Sequence, residues 1–360
     1  MRKPNSHKVG KNRCILNVMT LLFAFVLHFL PAQGQNAGLI SSANSEYVNS
    51  PQWRAAKVFR WERYNGKPEL LVQEAKQANI NLLSLMETYF TQGQPENEQL
   101  IELANREGIK VLVIFQTFYN DHVEIDSTLS ALDVQGKPVS EQWLTFICPN
   151  HEDYKKQRLQ QIEEVVRRYK PHGISLDFFR YFVYWEAGAD TRLVQTCFCK
   201  RCLIKFEMQH SIDVPATQII AQYIHEWTQF KCNTISEYAE RIHHRVKSIN
   251  PDIILNLHTV PWIDSDFGGA IKSIAAQDLT ALAPYFDFFQ PMTYSGMLKQ
   301  SVEWTHAVGT HMQQKLPQRT VIPCIEAAHA HPDSLAQITR TPVRGYSIWP
   351  FEKYASGYRL

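Results

Sequence analysis

HGISLDFFRYFVYWE, residues 172–186, decides how the rest of the chain is read. Behind the helix breakers Pro171 and Gly173 it runs apolar for a strand's length, reaches an acid at Asp177, and continues into aromatics and Arg180. Side chains alternate between the faces of a strand, so Ile174, Leu176 and Phe178 share one face and Ser175, Asp177 and Phe179 the other. With the bulkier set packed against helices, Asp177 points to whatever the opposite face encloses.

Working outward, the chain repeats the same strand-then-helix grammar. Upstream of the stretch, Leu159, Ile162, Val165, Val166 and Tyr169 recur at helical spacing. Strand-like runs occur at AAKVFRW (55–61), INLLSLMET (80–88), IKVLVIFQTFY (109–119), ISLDFF (174–179), DIILNLH (252–258), FDFFQPMTYSG (286–296), TVIPCIEA (320–327) and VRGYSIWPF (343–351). Pro68 opens the helix after the first, and Gly108 closes the one before the third. Eight strands with helical connectors predict an α/β fold, a (β/α)8 TIM barrel over residues 51–360. Two long insertions flank strand four. One spans 121–150 and holds the turn signal VQGKPV; the other, 184–215, is cysteine-rich. Little chain follows the eighth strand, so only a short last helix is expected.

The start of the chain is different in kind. Arg2, Lys3, Lys8, Lys11 and Arg13 precede the apolar run CILNVMTLLFAFVLHFL, followed by Pro31 and AQGQ. This is the plan of a signal peptide over residues 1–34, with a polar lead-in over 35–50, and it implies a secreted or periplasmic product with no membrane association after cleavage. A hydrophobic content of 44%, 20% charged residues and a formal net charge of +2 describe a globular chain without the basic excess of a nucleic-acid binder.

A barrel of this kind gathers its site at the carboxyl ends of its strands. The parity that aims Asp177 inward also groups Ile322, Cys324 and Glu326, so Asp177 and Glu326 become the expected catalytic carboxylates. Glu186 is the alternative partner, and pairing of Asp177 with Arg180 is the alternative to chemistry. Around them the strand ends and the strand-four loop supply Trp61, Glu62, Glu87, Gln116, Arg180, Tyr181, Glu186, Asn256, His258, Gln290, Tyr294 and Trp349 as expected substrate-binding residues. Planar hydrogen-bonding groups mixed with aromatics suit a sugar, whose hydroxyls need partners and whose ring face packs on an aromatic. Cleaving a glycosidic bond takes one protonated carboxyl and one ionised carboxylate. An oligosaccharide or polysaccharide substrate and no cofactor are therefore expected, with a non-catalytic carbohydrate-binding barrel as the alternative. Phosphate-loop, zinc-protease and nucleophile-elbow motifs do not occur.

Cys14 leaves with the signal, and Cys148, Cys197, Cys199, Cys202, Cys232 and Cys324 remain. In an exported protein CFCKRC reads first as a disulfide staple, with Cys148 or Cys232 as partner. The C-x-C-x-x-C spacing also suits structural zinc, completed by Cys148 or His151. No catalytic metal is expected.

GISLDFFRYF, preceded by CPNHEDY and followed by CFCKRCLIKF, resembles the glycosyl-hydrolase-like barrel group of bacterial exported proteins; FDFFQPMTYSG and GYSIWPF extend the likeness thinly. The resemblance implies a TIM barrel, a carbohydrate substrate and Asp177 as the strand-four carboxylate. The second carboxylate rests on strand parity alone.

Overall fold

The computed structural model describes residues 52–64, 66–91, 96–119, 128–141, 144–340 and 342–357, without the side chains of Trp61, Glu141 and Leu144. The signal segment 1–34 and the lead-in 35–50 lie outside the described residues.

In chain order the strands are β1 (Trp53–Val58), β2 (Leu82–Met86), β3 (Lys110–Gln116), β4 (Ser140–Glu141), β5 (Leu144–Thr145), β6 (Gly173–Asp177), β7 (Ile254–Thr259), β8 (Phe288–Pro291), β9 (Thr320–Val321), β10 (Cys324–Glu326) and β11 (Gly345–Trp349). Those of the large sheet run β10-β11-β1-β2-β3-β6-β7-β8-β9, every neighbour parallel. The two ends of that order are one piece of chain. Proline has no N–H to give a ladder, and at Pro323 the strand changes partner: the Ile322 amide donates to the Phe289 carbonyl at 2.9 Å, while the Pro323 carbonyl accepts from the Ser347 amide at 2.9 Å. β9 and β10 together are thus the seventh strand, and the sheet closes as an eight-stranded TIM barrel.

Two apolar layers make the barrel. Outside the sheet, Ile174, Leu176, Val111, Val113 and Leu255 belong to the large core packed under the helices. Inside, Ala55, Leu82, Leu112, Phe288 and Ile322 form a separate plug at the amino ends of the strands, with Trp53 and Ile254 against it. Close approach at this floor requires glycine twice. A Cβ on Gly173 would stand 2.6 Å from the Ile254 carbonyl oxygen, and one on Gly345 would stand 2.0 Å from that of Trp53.

Helices Pro68–Gln77, Glu96–Arg106, Glu152–Tyr169, Ile224–Ile249 and Val302–Lys315 are the longer connectors. Pro68 begins the first as expected, and Gly108, at φ +70°, follows the second. His151 caps the third by accepting the Tyr154 amide through Nδ1 at 3.2 Å. In the first insertion the VQGKPV signal is a turn. Gly136 N–H bonds the Asp133 carbonyl at 3.1 Å, and the Asp133 carboxylate accepts the amides of Gln135 and Lys137 at 2.8 and 2.9 Å. β4 and β5 pair antiparallel beyond it. After β11 a single short helix, Phe351–Gly357, completes the described chain.

Candidate active site

β6 delivers Asp177 to the inside of the barrel's carboxyl end, and the chain then turns sharply: Phe178 has φ +52°, a left-handed conformation costly for a residue with a Cβ. That turn sends Phe178 toward Tyr119 and Phe146, with ring centroids 4.8 and 6.0 Å away, and leads into the loop carrying Arg180, Trp185 and Glu186. The loop roofs a cavity of about 290 Å³. Asp177, Arg180, Glu186, Gln116, Tyr294 and Trp349 line it, as the sequence led one to expect. Tyr294 stands between Trp349 at 4.7 Å and Trp185 at 6.0 Å, so one wall is a run of aromatic faces.

The sequence reading missed Lys57. It also lines the cavity, and its ammonium is 3.0 Å from Asp177 Oδ2 with both side chains almost wholly buried. The signal was there, since Trp53, Ala55 and Lys57 share the inward face of β1. Asp177 therefore pairs with Lys57 rather than Arg180, and its Oδ1 accepts the Phe178 amide at 2.8 Å. Burial by itself would raise the Asp177 pKa; the Lys57 charge and these hydrogen bonds reverse that and hold it at about 2. Glu186 is displaced the other way. Burial raises its pKa against the opposing pull of Arg180, and its Oε2 has no hydrogen-bond partner among the described residues. One cavity thus contains a carboxylate whose pKa is pulled down and a second carboxyl whose pKa burial raises.

Other expected residues fall elsewhere. Glu326 ends β10 as parity requires, but its Oε2 accepts the Met297 amide at 2.9 Å and it does not line the cavity, whereas Met297 does. Asn256 and Gln290 lie below the cavity floor. The Asn256 amide donates to Ser175 Oγ at 2.6 Å and to Gln290 Oε1 at 2.8 Å, and all three are fully buried. His258 is buried beside the Lys57–Asp177 pair, and burial with the Lys57 charge lowers its pKa to about 3, so it stays neutral. β2 ends at Met86, before Glu87, which instead starts a helix; its carboxylate bonds Arg158 at 2.6 Å and the Gln116 amide at 3.0 Å. Likewise β1 ends at Val58, and Glu62 is exposed on the turn Trp61–Arg63. Tyr181 is fully buried, its hydroxyl accepting from Asn150 at 3.2 Å. The side chain of Trp61 lies outside the described residues.

The cysteine-rich insertion is corrected most. None of the six described cysteines is in a disulfide. Instead Cys148, Cys197, Cys199 and Cys202 converge, all four sulfurs within 4.8 Å of one another; Cys148 Sγ is 3.5 Å from the sulfurs of Cys199 and Cys202. A disulfide would bring two sulfurs to about 2 Å. Four sulfurs grouped without bonding are instead the donor set of a tetrahedral zinc site built from cysteines alone. Surrounding donors face the sulfurs: the Leu132 amide approaches Cys197 Sγ at 3.2 Å and Asn150 Nδ2 approaches Cys202 Sγ at 3.3 Å. Cys232 stands apart, its thiol donating to the Lys272 carbonyl at 3.7 Å. The cluster lies at the far end of the segment that begins at Asp177 and brings Cys197, Cys199 and Cys202 against Cys148.

With this geometry, the chain falls within the α/β barrel architecture of known glycoside hydrolases. It aligns with the glycoside hydrolase domain of PgaB (BpsB) from Bordetella bronchiseptica at a TM-score of 0.66 and 13% identity, over 86% of this chain and 98% of that one. A β-galactosidase from the haloarchaeon Halorubrum lacusprofundi aligns at 0.61 and 12%, and Gan42B, a GH42 β-galactosidase from G. stearothermophilus, at 0.59 and 11%. This chain spans 52% and 51% of those two galactosidase chains. No protein-family model and no curated protein sequence matches it.

Proposed function

We propose that the protein is a glycoside hydrolase in which Asp177 is the ionised carboxylate and Glu186 the acid. The observation that carries this is the divergence of two carboxyl groups on one cavity wall, Asp177 pulled down by Lys57 and Glu186 pushed up by burial. The protonated carboxyl of Glu186 donates to the departing glycosidic oxygen, while Asp177 stabilises or attacks the positive charge that grows on the sugar. Trp349, Tyr294 and Trp185 offer apolar faces to the ring, and Gln116 an amide to its hydroxyls. This assigns to Glu186 the role that parity alone gave to Glu326.

A series of aryl glycosides with leaving groups of increasing pKa tests the assignment. Asp177→Asn should lose turnover on every member. Glu186→Gln should lose little on the best leaving groups and most on the poorest, because only those need a proton. Uniform behaviour of Glu186→Gln across the series would remove Glu186 from the role. Full engagement of both Asp177 oxygens favours a second reading, a non-catalytic carbohydrate-binding barrel. It predicts binding without turnover in wild type and variants alike.

Two further elements of the proposal rest on the sequence and on the sulfur cluster. Export follows from the signal-peptide plan of residues 1–34. The four thiolates of Cys148, Cys197, Cys199 and Cys202 hold a structural zinc ion away from the chemistry.

A further inference from the structure

Arg180 is spent on neither carboxylate. It is 1% exposed, and its guanidinium lies 4.9 Å from the ring centroid of Phe146 and 5.5 Å from that of Phe178. Nη1 donates to the carbonyl of Val183 at 2.8 Å and, at 3.4 Å, to that of Tyr181. Among the described residues its Nε and Nη2 have no hydrogen-bond partner, yet the side chain lines the cavity. Asp177 is committed to Lys57. Glu186, the other nearby acid, has its own Oε2 unpartnered rather than bonded to Arg180.

A buried cation with unused donors carries a desolvation cost that a ligand can recover. The Nε–Nη2 edge is the side of a guanidinium that meets a carboxylate with two parallel N–H···O bonds. Lys57 is neutralised by Asp177, while Arg180 is hydrogen-bonded to neither acid that lines the cavity, so an incoming carboxylate meets an unengaged cation. The flanking rings of Phe146 and Phe178 keep water from the guanidinium and hold its plane.

Building on the glycoside hydrolase reading, we propose that the cavity takes an acidic sugar, a uronic acid whose carboxylate docks on the Nε–Nη2 edge of Arg180. Hydrogen bonds to a charged group make the preference on the order of tenfold or more over an uncharged counterpart.

Calorimetric titration of the full mature chain with tetragalacturonic and tetramannuronic acids, their methyl esters, and neutral and sulfated tetrasaccharides tests this. At least one free uronate should bind about tenfold or more tighter than its own ester, and Arg180→Gln should erase that difference, acid and ester then binding alike. Equal binding of acids and esters overturns the proposal. If neutral tetrasaccharides are still cleaved in that case, the hydrolase reading stands without it. Preference for the sulfated ligand over every uronate overturns the carboxylate in favour of a sulfate ester. If no saccharide is bound or cleaved, both readings fall. Should Arg180→Gln fail to fold, the acid-against-ester comparison on wild type decides alone.

Discussion

Replacing Lys57 by Met should cost the fold more than any other single change at the cavity. The ammonium holds the buried Asp177 carboxylate at a pKa of about 2 against its ordinary 3.8, so the folded state binds that proton less readily than the unfolded one. That depression corresponds to about 2 kcal/mol. Because the folded value is the lower one, this stabilisation is complete above pH about 4 and disappears as pH falls toward 2. Lys57→Met removes the main attraction and leaves burial, the largest influence on Asp177, opposed chiefly by the Phe178 amide. The carboxylate then stands unpaired, a situation that costs about 3–5 kcal/mol at neutral pH, and its pKa rises above the ordinary value. Urea denaturation at pH 7 and pH 4.5 gives the measurement. The variant should be less stable than wild type by that amount at pH 7, and the deficit should shrink at pH 4.5, where the carboxyl can protonate. A loss below about 1 kcal/mol at pH 7, with an unchanged pH dependence, would show that the Lys57–Asp177 contact does not set the charge state of the site.

Four other outcomes follow from the same geometry. Activity should fall on the alkaline side as the raised pKa of Glu186 is passed, and this limb should vanish in Glu186→Gln, read from kcat/KM against pH. The purified chain should contain about one zinc per molecule by atomic emission, and Cys202→Ser or prolonged chelation should remove it and lower the thermal midpoint; a metal-free wild type of equal stability would refute the site. His258, buried neutral with a pKa of about 3, makes the fold weaken as pH drops below its ordinary 6.5, by about 2 kcal/mol between pH 6.5 and 5. His258→Gln should flatten that slope in urea titrations. Gly173→Ala places a methyl 2.6 Å from the Ile254 carbonyl oxygen and 2.8 Å from Leu112 Cγ in the barrel floor, and should destabilise by about 2–3 kcal/mol in the same assay.

The barrel was legible because period-two alternation in ISLDFF and VIPCIEA assigns faces without knowledge of neighbours. Parity turned Asp177 to the inner face, where it lines the cavity, but it does not say how far up the barrel a side chain sits or what it meets there, and Glu326 at the end of β10 meets the Met297 amide instead. Asn256 and Gln290 share the inward face and are sealed below the cavity by bonding each other. Glu87 was lost by one residue: β2 ends at Met86, and the helix that follows turns the acid toward Arg158. Lys57 could have been found by applying to WRAAKV the parity used on strand four. The sulfur cluster was partly legible. C-x-C-x-x-C spacing serves disulfide and metal alike, and only the approach of Cys148, far earlier in the chain, separates them.

The partner exchange at Pro323 gives the barrel wall a seam. The two-residue β9 is paired along its length with β8 alone, with a single long bond on its other side from the Arg344 amide to the Val321 carbonyl at 3.3 Å, and the three-residue β10 is paired along its length with β11 alone. Neither piece has a full strand partner on both sides, while β2, β3 and β7 do. Thermal opening should therefore begin there, with the amides of Ile322 and Ser347 exchanging with deuterium ahead of those in β3 and β6, and a break in the chain at Pro323 should be the cut the barrel tolerates best.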